Sequence, residues 1–197
     1  MNQFTERKFN ITKLIGISEK NVEEHLKLYS GYVKNANTVL EKIAEYRKDS
    51  ESHAYALGEL QRRFAFEFDG MRNHEYYFSS LEGGPSALAT DSSLYKKIES
   101  EWDSFDAFLE MFKAIALTRG VGWAWLYYDK TTDRLLTQWT DEQHLGHLIG
   151  CAPILGIDVW EHAYVADYQP SGKKQYVEDY IANINWQVIE ENYLKAS

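Results

Sequence analysis

Two stretches of helical period, separated by a short polar run, constrain the fold of this chain more than any other feature. Between about Lys20 and Arg47, the positions Val22, His25, Tyr29, Tyr32, Ala36, Val39 and Ile43 recur at alternating three- and four-residue spacing. That spacing draws one seam along a helix. Ser18 followed by Glu19 supplies an N-cap with an acidic first turn, while Gly31, Asn37 and Thr38 are weak helix formers inside it. A second seam runs through Leu57, Leu60, Phe64, Phe68, Met71, His74, Phe78 and Leu81, and Gly83-Gly84-Pro85 stops it. The connection between them, Arg47 to His53, is too short to carry the chain back to the same end, so the helices are predicted to pack antiparallel. The point midway between His25 and His74 falls inside that turn. At a rise of about 1.5 Å per residue the two imidazoles then lie at one level, both on inward seams.

Beyond the Gly-Gly-Pro break the pattern changes. Ser93 to Glu99 and Ser104 to Leu117 read as shorter helices, the second carrying Phe105, Phe108, Leu109, Phe112, Ile115 and Ala116. Gly122 to Tyr128 and Arg134 to Trp139 are β-rich runs joined by the turn-type sequence DKTTD, which predicts a hairpin. Ala152 to Ile157 is a short apolar strand, and Asp158 is placed to cap a short helix through Tyr164. Lys174 to Ser197 is helical with a break near Asn185. The expected class is therefore α+β: an antiparallel helical hairpin over residues 1–84, then an α/β domain over residues 85–197 with a small three-stranded antiparallel sheet. At 197 residues the chain buries roughly 70% of its unfolded surface, enough for a core without disulfides. A lone Cys151 fits a reducing compartment. A net charge of −9 without a basic stripe argues against nucleic acid. The longest apolar runs fall short of the ~20 residues of a membrane span, and MNQFTERKFN lacks the apolar run of a signal peptide. The expectation is a soluble, cytoplasmic protein.

Six histidines then organise the chemistry. Asp158 and His162 are four apart, a spacing that turns a carboxylate and an imidazole to one face and suits a first-row metal. Taken singly, such a pair is more often a helix cap beside a surface histidine, and a seam histidine is more often a hydrogen-bonded core residue. Together, two level imidazoles on a hairpin plus Asp158 and His162 after a strand supply three nitrogens and one oxygen.

The stretch GIDVWEHAY, Gly156 to Tyr164, closely resembles the signature of the iron/manganese superoxide dismutases. Asn73-His74 with Tyr77 and Phe78 resembles that family's NHxxYW segment, and Gly122 to Leu126 resembles its GWGWL. Asn185-Trp186 before Glu190 and Tyr193 resembles its C-terminal INW...Y, and His25, Tyr32-Val33 and Asn37 resemble its first-helix pattern. The matches run in the family's order from about residue 20 to 193. The resemblance implies one manganese or iron ion per subunit, manganese favoured by Gly70 and Gly156, with His25, His74, Asp158 and His162 as ligands and a solvent molecule completing the site. It implies a metal cycling between +3 and +2, oxidising one superoxide to dioxygen and reducing the next to hydrogen peroxide. Tyr32 resembles the gateway tyrosine. With Gly70 four before His74, the group that bonds the solvent must come from the C-terminal half, where Gln143 is the choice and His144 the rival. Trp123, Trp125 and Trp160 would form the apolar wall. Glu161 resembles the glutamate that crosses a dimer interface, implying a homodimer or a dimer of dimers.

The sequence also departs from the family. Tyr32 follows His25 by seven positions, where the family has eight, so strict alignment puts Glu24 at the ligand position; an imidazole on the inward seam fits better. Leu28 and Val165 replace both ends of a polar contact between subunits, with Tyr29 or water left to substitute, and Lys173 or Lys174 stands near the usual arginine. Two other functions fit parts of the pattern. One is a catalytically impaired metal-binding scaffold of the same fold, against which the intact Tyr32, His74, Asp158 and His162 argue. The other is a non-haem iron oxygenase with a 2-His-1-carboxylate site of His74, Asp158 and His162, disfavoured by the fourth ligand at His25.

Overall fold

The computed structural model describes residues 2–197. Helix α1, Glu19–Tyr46, begins where Ser18 Oγ accepts from Asn21 N (3.1 Å), and α2, Ala54–Ser79, returns antiparallel after a single 3-10 turn at Arg47–Asp49. Two of the weak helix formers of α1 make specific hydrogen bonds. Thr38 Oγ1 donates to Lys34 O one turn back (3.0 Å). Asn37 exchanges two hydrogen bonds with the backbone of Phe4, pinning the extended N-terminal segment along the helix. Farther along that segment, Arg7 N donates to Tyr29 Oη and Ile15 pairs with Asn183. The seams are deeply buried at one end, where Tyr29, Val33, Ala36, Met71 and Phe78 lie, but Ile43, Leu57, Leu60 and Phe64 near the tip are only half-buried. His53 stacks on Tyr46 at 4.4 Å.

Helices α3 (Ser93–Trp102) and α4 (Phe105–Ala116) follow, capped by Ser92 and Ser104 and separated by Asp103 in a left-handed conformation. Strands β1 (Gly122–Asp129), β2 (Arg134–Asp141) and β3 (Ala152–Asp158) form an antiparallel sheet of order β2-β1-β3. The central strand β1 is buried from Gly122 through Tyr128, and its register sets Trp123 between Thr140 and Asp158. Helices α5 (Lys173–Asn183) and α6 (Trp186–Ala196) close the chain, with Asn185 capping the second at the expected break. One buried core joins the hairpin, through Tyr77 and Phe78, to the sheet, through Trp123 and Ile157, and to α5, through Tyr180. Among the described residues no helix is long and apolar enough to cross a membrane.

The expected helix from Asp158 to Tyr164 does not form. Asp158 instead ends β3, and its Oδ1 accepts from Trp160 N (2.8 Å), folding the chain back before a single 3-10 turn at Glu161–Ala163. The four-residue spacing still brings Asp158 and His162 together, through a strand end and a turn rather than one helical face.

Candidate metal centre

Four side chains from three elements and one turn converge. His25 Nε2 on α1 and His162 Nε2 on the turn each stand 3.1 Å from Asp158 Oδ2, and His74 Nε2 on α2 stands 3.5 Å from the same atom. One ligand atom from each of the four lies within 4.8 Å of the others. The chain holds this set from behind. His74 Nδ1 donates to the Gly70 carbonyl (2.6 Å), and because a carbonyl only accepts, the ring hydrogen is there and the Nε2 lone pair faces inward. That Nε2 is buried without any partner, as expected of an atom whose partner is a cation. Tyr176 Oη donates to the Asp158 carbonyl (2.7 Å), and Asn21 Nδ2 donates to Ala163 O (2.7 Å), tying α1 to the turn that carries His162.

Burial lowers the pKa of His25 and takes that of His74 down to about 3, so both rings are neutral and able to ligate. Burial by itself would raise Asp158, but the imidazoles of His162 and His25 hold it well below the usual carboxylate range. Neutral nitrogens around one carboxylate suit a divalent or trivalent first-row ion. Glu24, the rival to His25, is exposed and bonded to Lys27 (2.7 Å), which lowers its pKa; it points away from the cluster.

Tyr32 and Gln143 meet beside this set. Gln143 is fully buried in the segment after β2; its Nε2 donates to Tyr32 Oη (3.0 Å) and its Oε1 accepts from Trp123 Nε1 (2.9 Å). Tyr32 lies against His74, ring centroids 5.1 Å apart, in space that exists because residue 70 is glycine: a Cβ there would come within 2.5 Å of the Tyr32 ring. Burial raises the Tyr32 phenol, helped by the charge of Asp158. His144 does not join them. Its ring sits edge-on to Phe66 at 5.7 Å, so of the two candidates only Gln143 bonds Tyr32. Trp123 meets His74 edge-on (5.2 Å) and Trp160 stacks on His162 (5.6 Å). Trp125 stands one layer back, stacked on Trp123 at 5.5 Å.

A surface cavity of about 270 Å³ opens at Tyr32 and is lined by Lys27, Asn35 and Arg63 among others. Arg63 lies flat on Phe66 and bonds Glu67 (3.0 Å). Neither cation was singled out by spacing; Lys27 lies two positions from His25 on α1, but Arg63 reaches the cavity only through packing of the helices. Lys173 is committed elsewhere, donating to Thr118 O (2.8 Å) over the Trp139 ring, and burial lowers its pKa. Glu161 is exposed with no side-chain partner among the described residues, and Leu28 and Val165 are also exposed, at 41% and 44%.

The sequence model for "iron/manganese superoxide dismutases, C-terminal domain" matches residues 90–192. An iron superoxide dismutase of Tetrahymena pyriformis is 34% identical over 177 residues, covering 87% of this chain and 89% of its own. The chain belongs to the iron/manganese superoxide dismutase family. Other members bracket it by metal: an iron enzyme of Aquifex aeolicus is 34% identical over 188 residues (93% of this chain, 87% of its own), and a manganese enzyme of Mycolicibacterium fortuitum is 33% identical over 178 (90% and 84%). As a superoxide dismutase of this family, the chain is a metal-binding oxidoreductase, and its His3Asp cluster is a group that could hold the ion.

Proposed function

We propose that the chain disproportionates superoxide at a single ion held by His25, His74, Asp158 and His162, with two superoxide anions and two protons giving dioxygen and hydrogen peroxide. The observation that carries this reading is the inward, unpartnered Nε2 of His74 within the convergent donor set. When bound, a manganese or iron ion supplies the one-electron exchange, taking an electron from one superoxide and returning it to the next. The chain's residues manage the anion and the protons. Lys27 and Arg63 line the opening at Tyr32, each paired with a carboxylate (Glu24 and Glu67), and are the cationic groups an arriving anion meets there against a net charge of −9. Tyr32 keeps its proton because burial raises its phenol. Its oxygen accepts from Gln143, so its own hydrogen is free to face the cavity and pass a proton inward. Gln143 is oriented by Trp123 and offers its remaining amide hydrogen to a solvent molecule at the centre. Trp123 and Trp160 keep bulk water from the imidazoles they cover.

Manganese is the favoured ion. Gly70 leaves room for Tyr32, so the amide comes from Gln143 in the C-terminal half, the arrangement that resembles the manganese-type pattern. A cytoplasmic homodimer or dimer of dimers, with Glu161 at the subunit contact, is the assembly this reading carries; the exposed Glu161, Leu28 and Val165 support it. Metal analysis of the purified protein, followed by superoxide-consumption assays of manganese- and iron-loaded forms, tests the proposal. Activity in the manganese form supports it, and bound metal with no activity in either form overturns it.

A further inference from the structure

Gln143 lies in a segment without regular structure, residues 142–151, where Glu142 (φ 52°), Gly146 (φ 107°) and Gly150 (φ 83°) all turn left-handed. A side chain in such a segment takes its position from its anchors. Two of these act on its carbonyl, which accepts from Asn73 Nδ2 (2.8 Å) and from His147 Nε2 (3.0 Å). Since a carbonyl only accepts, the hydrogen of His147 is on Nε2, and Nδ1 is left to accept from the Tyr127 hydroxyl. Tyr127 is buried in β1 and burial raises its phenol, so that hydrogen stays in place.

Both ends of Gln143 are therefore tied to the same face of one strand. Trp123 holds the carboxamide directly, and Tyr127, four residues along, holds the backbone through His147. Trp125 between them fills the space, stacking on Trp123 and lying 5.7 Å from the His147 ring. We propose that His147 is a positioning residue for the superoxide reaction, bracing the Gln143 carbonyl against Tyr127 so that the Gln143 carboxamide is held at a fixed place beside Tyr32. The proposal rests on the reading of Gln143 given above.

Hydrogen exchange at the Trp123 indole N–H reports the carboxamide's position without reference to turnover. It is read by NMR in protein loaded with zinc as a diamagnetic ion. His147→Ala is expected to speed this exchange about five-fold, the loss of roughly one hydrogen bond, while the backbone amides of the β1 ladder exchange as before. His147→Gln, which keeps a donor for the carbonyl, restores protection, and Tyr127→Phe, which keeps the ring, reproduces part of the loss. In the manganese-loaded enzyme His147→Ala lowers kcat several-fold with KM unchanged, Tyr127→Phe does so in part, and His147→Gln restores it. Unaltered Trp123 exchange in His147→Ala, or parallel acceleration of Trp123 and the ladder amides, overturns the positioning role. If Trp123 responds as expected but Gln143→Ala turns over like the unmodified enzyme, the reading of Gln143 fails, and with it the catalytic consequence of the brace.

Discussion

The metal centre is assembled by two unlike regions. On the hairpin side, His25 and His74 project from long helices, are fully buried, and have rings set by packing and by the Gly70 carbonyl. On the turn side, Asp158 ends a strand and His162 follows in one 3-10 turn, its side chain 22% exposed and its ring held between Asp158 and Trp160. The contrast separates ligands placed by the fold from a ligand placed by its immediate neighbours. Regular elements with large buried faces hold their side chains with or without an ion. A single turn at the surface has fewer contacts to lose, and an ion contributes more to its order.

The sharpest way to break this comparison is to remove one ligand from each side. His74→Ala is expected to lose the metal and also to destabilise the metal-free chain by about 2–4 kcal/mol, because it leaves a cavity in the core. His162→Ala is expected to lose the metal at a cost of less than about 1 kcal/mol to the metal-free chain. Metal analysis and denaturant unfolding measure both, and equal losses of stability would erase the distinction. His25→Ala belongs with His74→Ala, whereas Glu24→Ala keeps its metal. Next in size, Gln143→Ala is expected to retain metal and fold while lowering turnover about 100-fold, as measured by superoxide consumption.

A pH series tests the hairpin side alone. His74 is depressed from 6.5 to about 3 and His25 is lowered too, so over that range the unfolded chain binds more protons than the folded one. Stability of the metal-free protein should fall as pH drops below about 6.5. Asp158, with its lowered pKa, adds to the loss once pH passes below 3.8. Urea midpoints near pH 7 and pH 5 check this, and His74→Gln should flatten the slope. The smallest effect concerns the opening: Arg63→Gln should lower kcat/KM about two-fold and weaken its dependence on salt.

The two sides were also unequally legible in the sequence. Helical period placed Tyr29, Ala36, Met71 and Phe78 inward and set His25 level with His74, because a long helix repeats one local rule. On the turn side Asp158 and His162 come together through a different local structure from the expected one: a four-residue offset aligns side chains on a helix, and here a strand end and a 3-10 turn achieve the same juxtaposition. Gln143 and His144 stayed alternatives because they are adjacent in a segment with no period, where the partners that hold Gln143 come from α1, α2 and β1. The link from Tyr127 through His147 to Gln143 and the approach of Arg63 to Tyr32 had no local signal. Both depend on which elements pack together across the core.

Helix α1 runs without interruption from Glu19 to Tyr46, and His25 and Tyr32 share its inner face because they are separated by close to two whole turns. A residue gained or lost between them would swing one away from the other by about 100°, whereas a residue gained in the turn at 47–53 would cost only a small increase in loop entropy. Length is therefore easily changed at the tip of the hairpin, whereas between His25 and Tyr32, where the family has eight positions and this chain seven, a change re-aims one side chain against the other and the residues around Tyr32 must repack to receive it.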